Sequence, residues 1–295
     1  MDWFGMMLPM NTPAAQPSDQ PLSEAQRRFF TTFGYLHLPG MLRDVVGEVI
    51  DGFERVWANR GGGHEGKPHD GTARSCLVPF IDQDERLSLL LDDPRIHGLL
   101  TSLLGDDFNY MGSDGNYYVG NTGWHQDGGN TGIQFLKIAF YLDPLDGSNG
   151  ALRVIPGSHH SSGGFPEALK GKLGDPVTHF GATGSEVPAM VLATNPGDLA
   201  IFDHRIYHSS WNGGQRRRMF TMNCCQRWPE ARLPELQEYL GTHARFLIER
   251  NVGPAMSRVA TPRMRRHLEQ VEANDFLLKP KVAALLAQGK AASRG

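Results

Sequence analysis

The sequence predicts a mainly β fold, a sandwich or barrel core with helices on either side of it along the chain. Six short apolar stretches follow one another between about residues 108 and 228, separated by turn-forming clusters such as DPLDGSNG and NPGD. Many short strands joined by such turns are typical of sandwiches and barrels. The 35 glycines and 19 prolines among 295 residues also indicate many turns. The predicted strands are 116–119, 133–142, 151–155, 189–193, 199–207 and 219–225.

Helices are predicted before and after this core. Ser23 begins a weak N-cap signal for a helix to about residue 32, and a strand is expected at 34–39. Apolar residues at spacings of three and four predict helices over 41–58 and 84–105, the second broken near Asp93-Pro94, and again after residue 229. The glycine-rich residues 60–72 hold no core-forming side chain, so we expect a mobile lid over an empty site.

These patterns predict a flexible tail at residues 1–22 and a single catalytic domain at 23–295. Within the domain, a helical part at 23–107 precedes a jelly-roll core at about 108–228, and a second helical part at 229–295 follows it. No internal repeat and no composition shift divides the domain further.

Composition and charge exclude several classes of protein. The formal net charge is −3, without the basic domain that a nucleic-acid partner requires. No apolar run approaches the roughly 18 residues of a membrane helix, and the first ten residues lack the basic start of a signal peptide. Three cysteines, two of them adjacent, indicate free thiols in a reducing compartment. We therefore expect a cytoplasmic protein that binds no nucleic acid and no membrane.

The motif that carries chemistry is His125-Gln-Asp127. Residues i and i+2 of an extended segment face the same way, so the imidazole and the carboxylate can share one metal ion. The predicted strand 199–207 and the residues after it offer a third ligand, His204 or His208, which have the same strand parity. Two histidines and one carboxylate on one face form the facial triad of non-haem Fe(II) oxygenases. A His-x-Asp triplet is common by chance, and His-x-x-x-His on a helix would indicate zinc, but this segment alternates like a strand.

Several segments, taken in order, resemble the phytanoyl-CoA dioxygenase family. They are the His125-Gln-Asp127 motif, the stretch NGALRVIPGSH at 149–159, the segment from Gly197-Asp198 to His208-Ser-Ser, and the basic cluster at 216–218. The opening FGYLHLPG at 33–40 also resembles the start of the family. The likeness covers roughly residues 24–225, and its specificity lies in the combination of the segments.

The resemblance implies a double-stranded β-helix, the jelly roll of cupin-like proteins, with Fe(II) bound by His125, Asp127 and His208. It also implies 2-oxoglutarate as co-substrate and O2 as oxidant. The distal carboxylate of 2-oxoglutarate then needs a buried arginine, whose planar fork matches a carboxylate with two hydrogen bonds.

Two arginines compete for that carboxylate. Arg217 is preferred because the stretch RRMFTMN best mirrors the family, whereas the spacing from Asn212 suits Arg218. Neighbours on a strand point to opposite faces, so only one of the two can point inward. Ser210 matches a family position that helps bind the same carboxylate, although it could equally be an ordinary turn serine.

Two further polar residues have open roles. Lys137 lies in the middle of the apolar stretch 133–142, where an unpaired charge is costly. It either contacts the co-substrate or substrate, or faces the edge of the sheet. If His208 is the ligand, His204 lies behind the metal ligands or at the surface.

The resemblance implies oxidation of a small metabolite or natural-product intermediate, as in biosynthesis, with release of succinate and CO2. Hydroxylation is the default outcome, and desaturation, epoxidation or ring formation are the alternatives. Halogenation is disfavoured because halogenases of this class lack the carboxylate ligand that Asp127 supplies. An acyl-CoA ester is the alternative substrate, and a non-catalytic jelly-roll binding module is the alternative of another class.

Overall fold

The computed structural model describes residues 21–129 and 131–295. Of the predicted tail, residues 1–20 therefore lie outside the described part. The strands are β1 (Tyr35–Leu38), β2 (Ser75–Leu77), β3 (Phe108–Gly112), β4 (Gly115–Tyr118), β5 (Thr122–His125), β6 (Phe135–Tyr141), β7 (Leu152–Val154), β8 (Met190–Leu192), β9 (Leu199–Asp203), β10 (His208–Ser210) and β11 (Arg217–Gln226). The helices are α1 (Glu24–Phe33), α2 (Val46–Asn59), α3 (Glu85–Ser88), α4 (Pro94–Leu104), α5 (Gly164–Leu169), α6 (Pro176–Phe180), α7 (Leu233–Gly241), α8 (Pro254–Val259), α9 (Pro262–Asn274) and α10 (Leu278–Ala287).

The strands form two antiparallel sheets. The larger sheet has the order β1-β9-β6-β11-β4-β2, and β3 pairs with the far end of the long strand β11. The smaller sheet has the order β5-β10-β7-β8. Apolar side chains from both sheets pack between them, among them Tyr141, Val154 and Phe202. This arrangement is the predicted jelly roll, a cupin-like double-stranded β-helix with flanking helices.

Strand β11 shows how the sequence sorts side chains between the two faces of the larger sheet. Phe220, Met222 and Cys224 join the core that also contains residues of α2, α4 and α9. The alternate positions on β11 point toward the smaller sheet and line a cavity there. Because successive side chains of a strand alternate, a single strand supplies both the helix-facing core and the cavity wall.

The N-terminal part contributes two strands to the larger sheet in addition to its helices. The capping box of Ser23 starts α1, and Asp93 with Pro94 starts α4, as their sequences predict. Strand β1 pairs with β9, and the short β2, which has no clear sequence pattern, pairs with β4. Leu22, at the end of the predicted tail, is buried in the same core as α1.

The prediction of one strand over 199–207 is wrong. Strand β9 ends at Asp203 in the larger sheet, and the chain then turns and enters the smaller sheet at His208. The Asp203 carboxylate accepts hydrogen bonds from the backbone N–H and the guanidinium of Arg205, at 2.9 and 2.8 Å. Such an aspartate turn ends the strand, although the apolar alternation of the sequence continues through it.

The glycine-rich loop at 60–72 is anchored, contrary to the expectation of a loop without anchors. His64 is buried, and its two ring nitrogens lie 3.0 and 3.1 Å from the carbonyl oxygens of Cys76 and Ala292. His69 contacts the Ser75 hydroxyl and the Gln215 carbonyl at 2.8 and 2.7 Å. Hydrogen bonds of two histidines therefore hold this loop in place, although it has no large apolar side chain to bury.

The cysteines are free and buried, as predicted; they are Cys76, Cys224 and Cys225. Among the described residues, no helix combines the length and the apolar character needed to cross a membrane.

Candidate metal centre

Two histidines meet where β5 and β10 pair. His125 at the end of β5 lies opposite His208 at the start of β10, and the ring centroids are 4.1 Å apart. Nδ1 of His125 lies 2.8 Å from the carbonyl oxygen of Gly123, and Nδ1 of His208 lies 3.0 Å from that of Ile206. A carbonyl oxygen only accepts, so each Nδ1 carries the proton. Each Nε2 is therefore left as a free lone-pair donor, the orientation of a metal-binding imidazole.

Asp127 completes a group of three potential ligands. Its Oδ1 lies 3.8 Å from Nε2 of His125, and its Oδ2 lies 3.5 Å from Nε2 of His208. One ligand atom from each residue lies within 4.8 Å of the others, and no other such cluster of histidine, cysteine, aspartate or glutamate occurs in the described part of the chain. The donor set and its spacing fit a facial triad with three positions left open.

His204 supports this group through its backbone. Its carbonyl oxygen accepts hydrogen bonds from the N–H groups of Asp127 and Gly128, at 2.8 and 3.2 Å. The imidazole of His204 is buried and lines the cavity, but it does not belong to the cluster. The structure thus separates the two histidines that the sequence left as alternatives.

Charge and burial at the centre favour the protonation states in which its residues can bind a metal. Burial works to raise the pKa of Asp127, but the Lys137 ammonium outweighs this and holds the pKa well below its usual value. Burial lowers the pKa of His208 to about 4. The carboxylate is therefore ionised and the imidazole neutral at neutral pH, as metal ligands must be.

Arg217 faces the same cavity from β11. Its side chain is buried, and in the described structure Nε and Nη1 have no hydrogen-bond partner. The guanidinium carbon lies 5.1 Å from the ring centroid of Tyr118. Burial lowers the pKa of Arg217, and an arginine guanidinium stays protonated in proteins. A buried guanidinium with free donors is suited to a carboxylate from a ligand.

Two glycines make room for this guanidinium. A Cβ added at Gly150, where φ is +104°, would lie 2.0 Å from Nη1 of Arg217, and one at Gly213 would lie 2.6 Å from it. The buried Ser210 hydroxyl donates to the Gly150 carbonyl oxygen at 3.0 Å and also lines the cavity. Residues far apart in the sequence therefore shape a recess around one cation.

Arg218 points the other way. Its Nε and Nη1 donate to Asp143 and to Glu54 of α2, each at 2.9 Å. Both of its partners lie outside the cavity lining. Strand parity left open which of the two arginines faces the cavity. The structure shows that Arg217 faces it and Arg218 faces away from it.

The cavity between the sheets has a volume of about 710 Å³ and is lined by many polar groups. Sequence analysis missed several of them. Thr221 and Asn223 follow Arg217 at period two along β11, so strand periodicity could have found them. Arg74 and Asp114 carry no such signal; nor do His243 and Asn251, which come from the C-terminal part.

A double-stranded β-helix holding two imidazoles and one carboxylate around a cavity is the arrangement of non-haem iron oxygenases. The chain belongs to the phytanoyl-CoA dioxygenase (PhyH) family, which matches residues 30–219. It is accordingly a 2-oxoglutarate-dependent non-haem iron dioxygenase that acts on a small molecule. A search of the curated proteins finds no match.

Solved structures of similar fold are distant in sequence. SnoK, a non-haem α-ketoglutarate-dependent carbocyclase from nogalamycin biosynthesis, is 20% identical with a TM-score of 0.56, covering 70% of this chain and 84% of its own. EctD from S. alaskensis in its apoform is 22% identical with a TM-score of 0.54, covering 72% and 79%. HygX from Streptomyces hygroscopicus, with nickel and 2-oxoglutarate bound, is 15% identical with a TM-score of 0.55, covering 70% and 88%.

Proposed function

We propose that this dioxygenase hydroxylates a small polar metabolite, with Fe(II) bound by His125, Asp127 and His208 and 2-oxoglutarate anchored by Arg217. The observation that carries the proposal is a buried guanidinium with unpartnered donors in the same cavity as the triad. A desolvated charge of this kind is costly unless a ligand pairs with it. The distal carboxylate of 2-oxoglutarate is such a partner. Ser210 lines the same cavity and would help to bind this carboxylate.

Each residue has a definite task in this proposal. The carbonyls of Gly123 and Ile206 keep the Nε2 atoms of the histidines free for the metal. Fe(II) held by this triad, together with 2-oxoglutarate, would supply the activation of O2, with succinate and CO2 as by-products. Arg217 fixes the far end of the co-substrate, and the buried Tyr141 and the partly buried Tyr118 line the same cavity. The substrate takes the space lined by Thr221, Asn223 and the C-terminal part.

The size and polarity of the cavity support a small metabolite over an acyl-CoA ester. Its volume of about 710 Å³ suits a small ligand, and its polar side chains would leave an acyl chain with poor partners. SnoK, whose fold is similar, is a carbocyclase from nogalamycin biosynthesis, and EctD has been solved with 2-oxoglutarate and 5-hydroxyectoine. We propose the same kind of substrate here, in a biosynthetic reaction.

We also propose that residues 23–295 act as one catalytic domain. Side chains from α1 and α2 near one end and from α8 and α9 near the other share one core on the larger sheet. The three free, buried cysteines support a reducing, cytoplasmic location.

Succinate release tests the reaction. Purified protein with Fe(II), ascorbate and 2-oxoglutarate should release succinate slowly, and faster when a substrate from a panel of small polar metabolites is added. A product heavier by one oxygen indicates hydroxylation, and loss of two hydrogens indicates desaturation or ring formation. A binding module would bind iron and 2-oxoglutarate without releasing succinate, which would contradict the proposal.

The metal ligands are tested separately by anaerobic Fe(II) titration of two matched variants. His208→Ala should lose stoichiometric binding, because removing one of three ligands leaves a weak bidentate site. His204→Ala is the control and should keep one bound iron per chain. The assignment is wrong if the two results are exchanged.

A further inference from the structure

Lys137 is the cavity cation that contacts the triad. Strand β6 alternates, so Leu136 and Ile138 pack toward the helices while Lys137, Ala139 and Tyr141 face the cavity. The strand lies inside the larger sheet between β9 and β11, with Phe202 and Asn223 as the register partners of Lys137. A lysine at this position is therefore enclosed by the sheet and points at the site.

Its ammonium is committed to one partner. Nζ of Lys137 lies 2.8 Å from Oδ2 of Asp127, and the two side chains are 17% and 18% exposed. Within the described residues, this is the one ion pair that Lys137 makes. Because a mostly buried ammonium is costly without a partner, Asp127 holds the lysine where it is, and the lysine holds Asp127 in turn.

The two carboxylate oxygens of Asp127 have different neighbours. Oδ2 contacts Lys137 and also lies 3.5 Å from Nε2 of His208, whereas Oδ1 lies 3.8 Å from Nε2 of His125 and, among the described residues, has no lysine beside it. A metal held by two imidazoles and both carboxylate oxygens has two open positions in an octahedron, and a metal held through one oxygen has three. 2-Oxoglutarate bound to the metal through two atoms would use two of the open positions, so O2 would need a third.

We propose that Lys137 is a positioning residue that restricts Asp127 to binding iron through one oxygen and thereby keeps the position for O2 open. The inference rests on the proposed function. It replaces the sequence hypothesis that Lys137 contacts 2-oxoglutarate, because Lys137 already has a charged partner whereas the donors of Arg217 do not.

The test replaces Lys137 by methionine, which keeps the length of the side chain without its charge. Lys137→Met is loaded anaerobically with Fe(II) and 2-oxoglutarate, and nitric oxide then serves as the probe of the open position, measured by electron paramagnetic resonance. We expect Fe(II) and 2-oxoglutarate to bind as in the unaltered protein, and the fraction of loaded iron that binds nitric oxide to fall. Succinate release should fall by about 10–100-fold, as for other changes behind a metal ligand.

Two controls separate this role from general damage. Lys137→Arg keeps a cationic donor and should restore nitric oxide binding. Lys281→Met removes a partly exposed lysine that lies outside the cavity and pairs with Glu238 at 2.9 Å, and it should leave iron, 2-oxoglutarate and nitric oxide binding unchanged. A purely structural role for Lys137 would reduce metal binding and thermal stability together, leaving nitric oxide binding per loaded iron intact.

The outcomes that overturn the proposal are distinct. Full nitric oxide binding by Lys137→Met contradicts it, and a large loss of 2-oxoglutarate affinity in that case assigns Lys137 to the co-substrate. If Lys137→Met does not fold by circular dichroism, Lys137→Gln is judged by the same criteria. An unaltered protein that binds iron, 2-oxoglutarate and nitric oxide but releases no succinate contradicts the proposed function and leaves the result for Lys137 standing.

Discussion

Arg217 and Arg218 are adjacent, carry the same charge and occupy opposite environments. One is buried with free donors, and the other is paired with Asp143 and Glu54. The contrast provides a matched pair of variants in which composition and net charge change identically, so that only the direction of the side chain differs.

Arg217→Gln should weaken 2-oxoglutarate binding strongly, and Arg218→Gln should leave it nearly unchanged. Loss of one partner from a buried charge pair costs about 3–5 kcal/mol, which is about 100-fold or more in Kd. Anaerobic titration of the iron-loaded proteins with 2-oxoglutarate, followed by the charge-transfer absorption, measures both constants. A larger effect at Arg218 would show that the inward arginine is not the anchor.

At the scale of elements, α9 is joined to β3 and α4 through a pair of histidines. Nδ1 of His267 lies 2.9 Å from the carbonyl oxygen of Phe108, and its ring stacks on Phe108 with centroids 3.7 Å apart. Its Nε2 lies 3.3 Å from Nε2 of His97. Since Nδ1 donates to the carbonyl, Nε2 of neutral His267 accepts from His97, and protonating His267 would set two N–H groups against each other.

This junction predicts a loss of stability in mild acid. Burial lowers the pKa of His267 to about 4; the hydrogen bond to Phe108 and the charge of Asp107 oppose this, and His97 and Arg266 add to it. An unfolded histidine titrates near 6.5. The unfolded chain therefore binds the proton first, so the stabilisation is complete above about pH 6.5 and is lost as the pH falls toward 4. The control is His179, which is exposed and whose ring lies beside Phe180 with centroids 6.4 Å apart.

His267→Gln should accordingly flatten the pH dependence of unfolding. The amide can still donate to the Phe108 carbonyl but cannot take up a proton. We therefore expect the loss of unfolding free energy between pH 6.5 and pH 4 to be smaller by about 3 kcal/mol in the variant. Urea unfolding at several pH values measures this. His179→Gln should keep the original slope, and an equal change in both variants would refute the role of the junction.

At the scale of the whole molecule, the ligands should stabilise the fold because their residues come from both sheets. His125 and His208 belong to the smaller sheet, and Arg217 belongs to the larger one. Binding to the folded state alone contributes about 2.7 kcal/mol at a ligand concentration of 100 Kd. For a domain of this size, that corresponds to a rise in Tm of about 5–10 °C.

The measurement is thermal unfolding with Mn(II), with Mn(II) and 2-oxoglutarate, and after removal of metal by a chelator. Mn(II) should raise Tm in the unaltered protein and in Arg217→Gln alike. The further rise with 2-oxoglutarate should be absent from Arg217→Gln. A rise with 2-oxoglutarate of equal size in both proteins would place the co-substrate elsewhere.

The sequence by itself determined the β-rich core, the helices around it and the His125-Gln-Asp127 motif of the candidate metal centre. The reason is that these features are local: strand alternation, N-cap signals and the His125-Gln-Asp127 spacing each depend on a few neighbouring residues. Parity also predicted that one of Arg217 and Arg218 points inward, although it could not say which face of β11 is inside.

Only the tertiary structure decided that face, the crossing between sheets that separates His204 from His208, and the pairing of Lys137 with Asp127. It also decided that His64 and His69 anchor a loop without apolar residues, and that His243 and Asn251 line the cavity. These contacts join residues far apart in the chain or depend on the aspartate turn at Asp203. Their energies come from burial and charge pairing that exist only once the sheets have closed over the cavity.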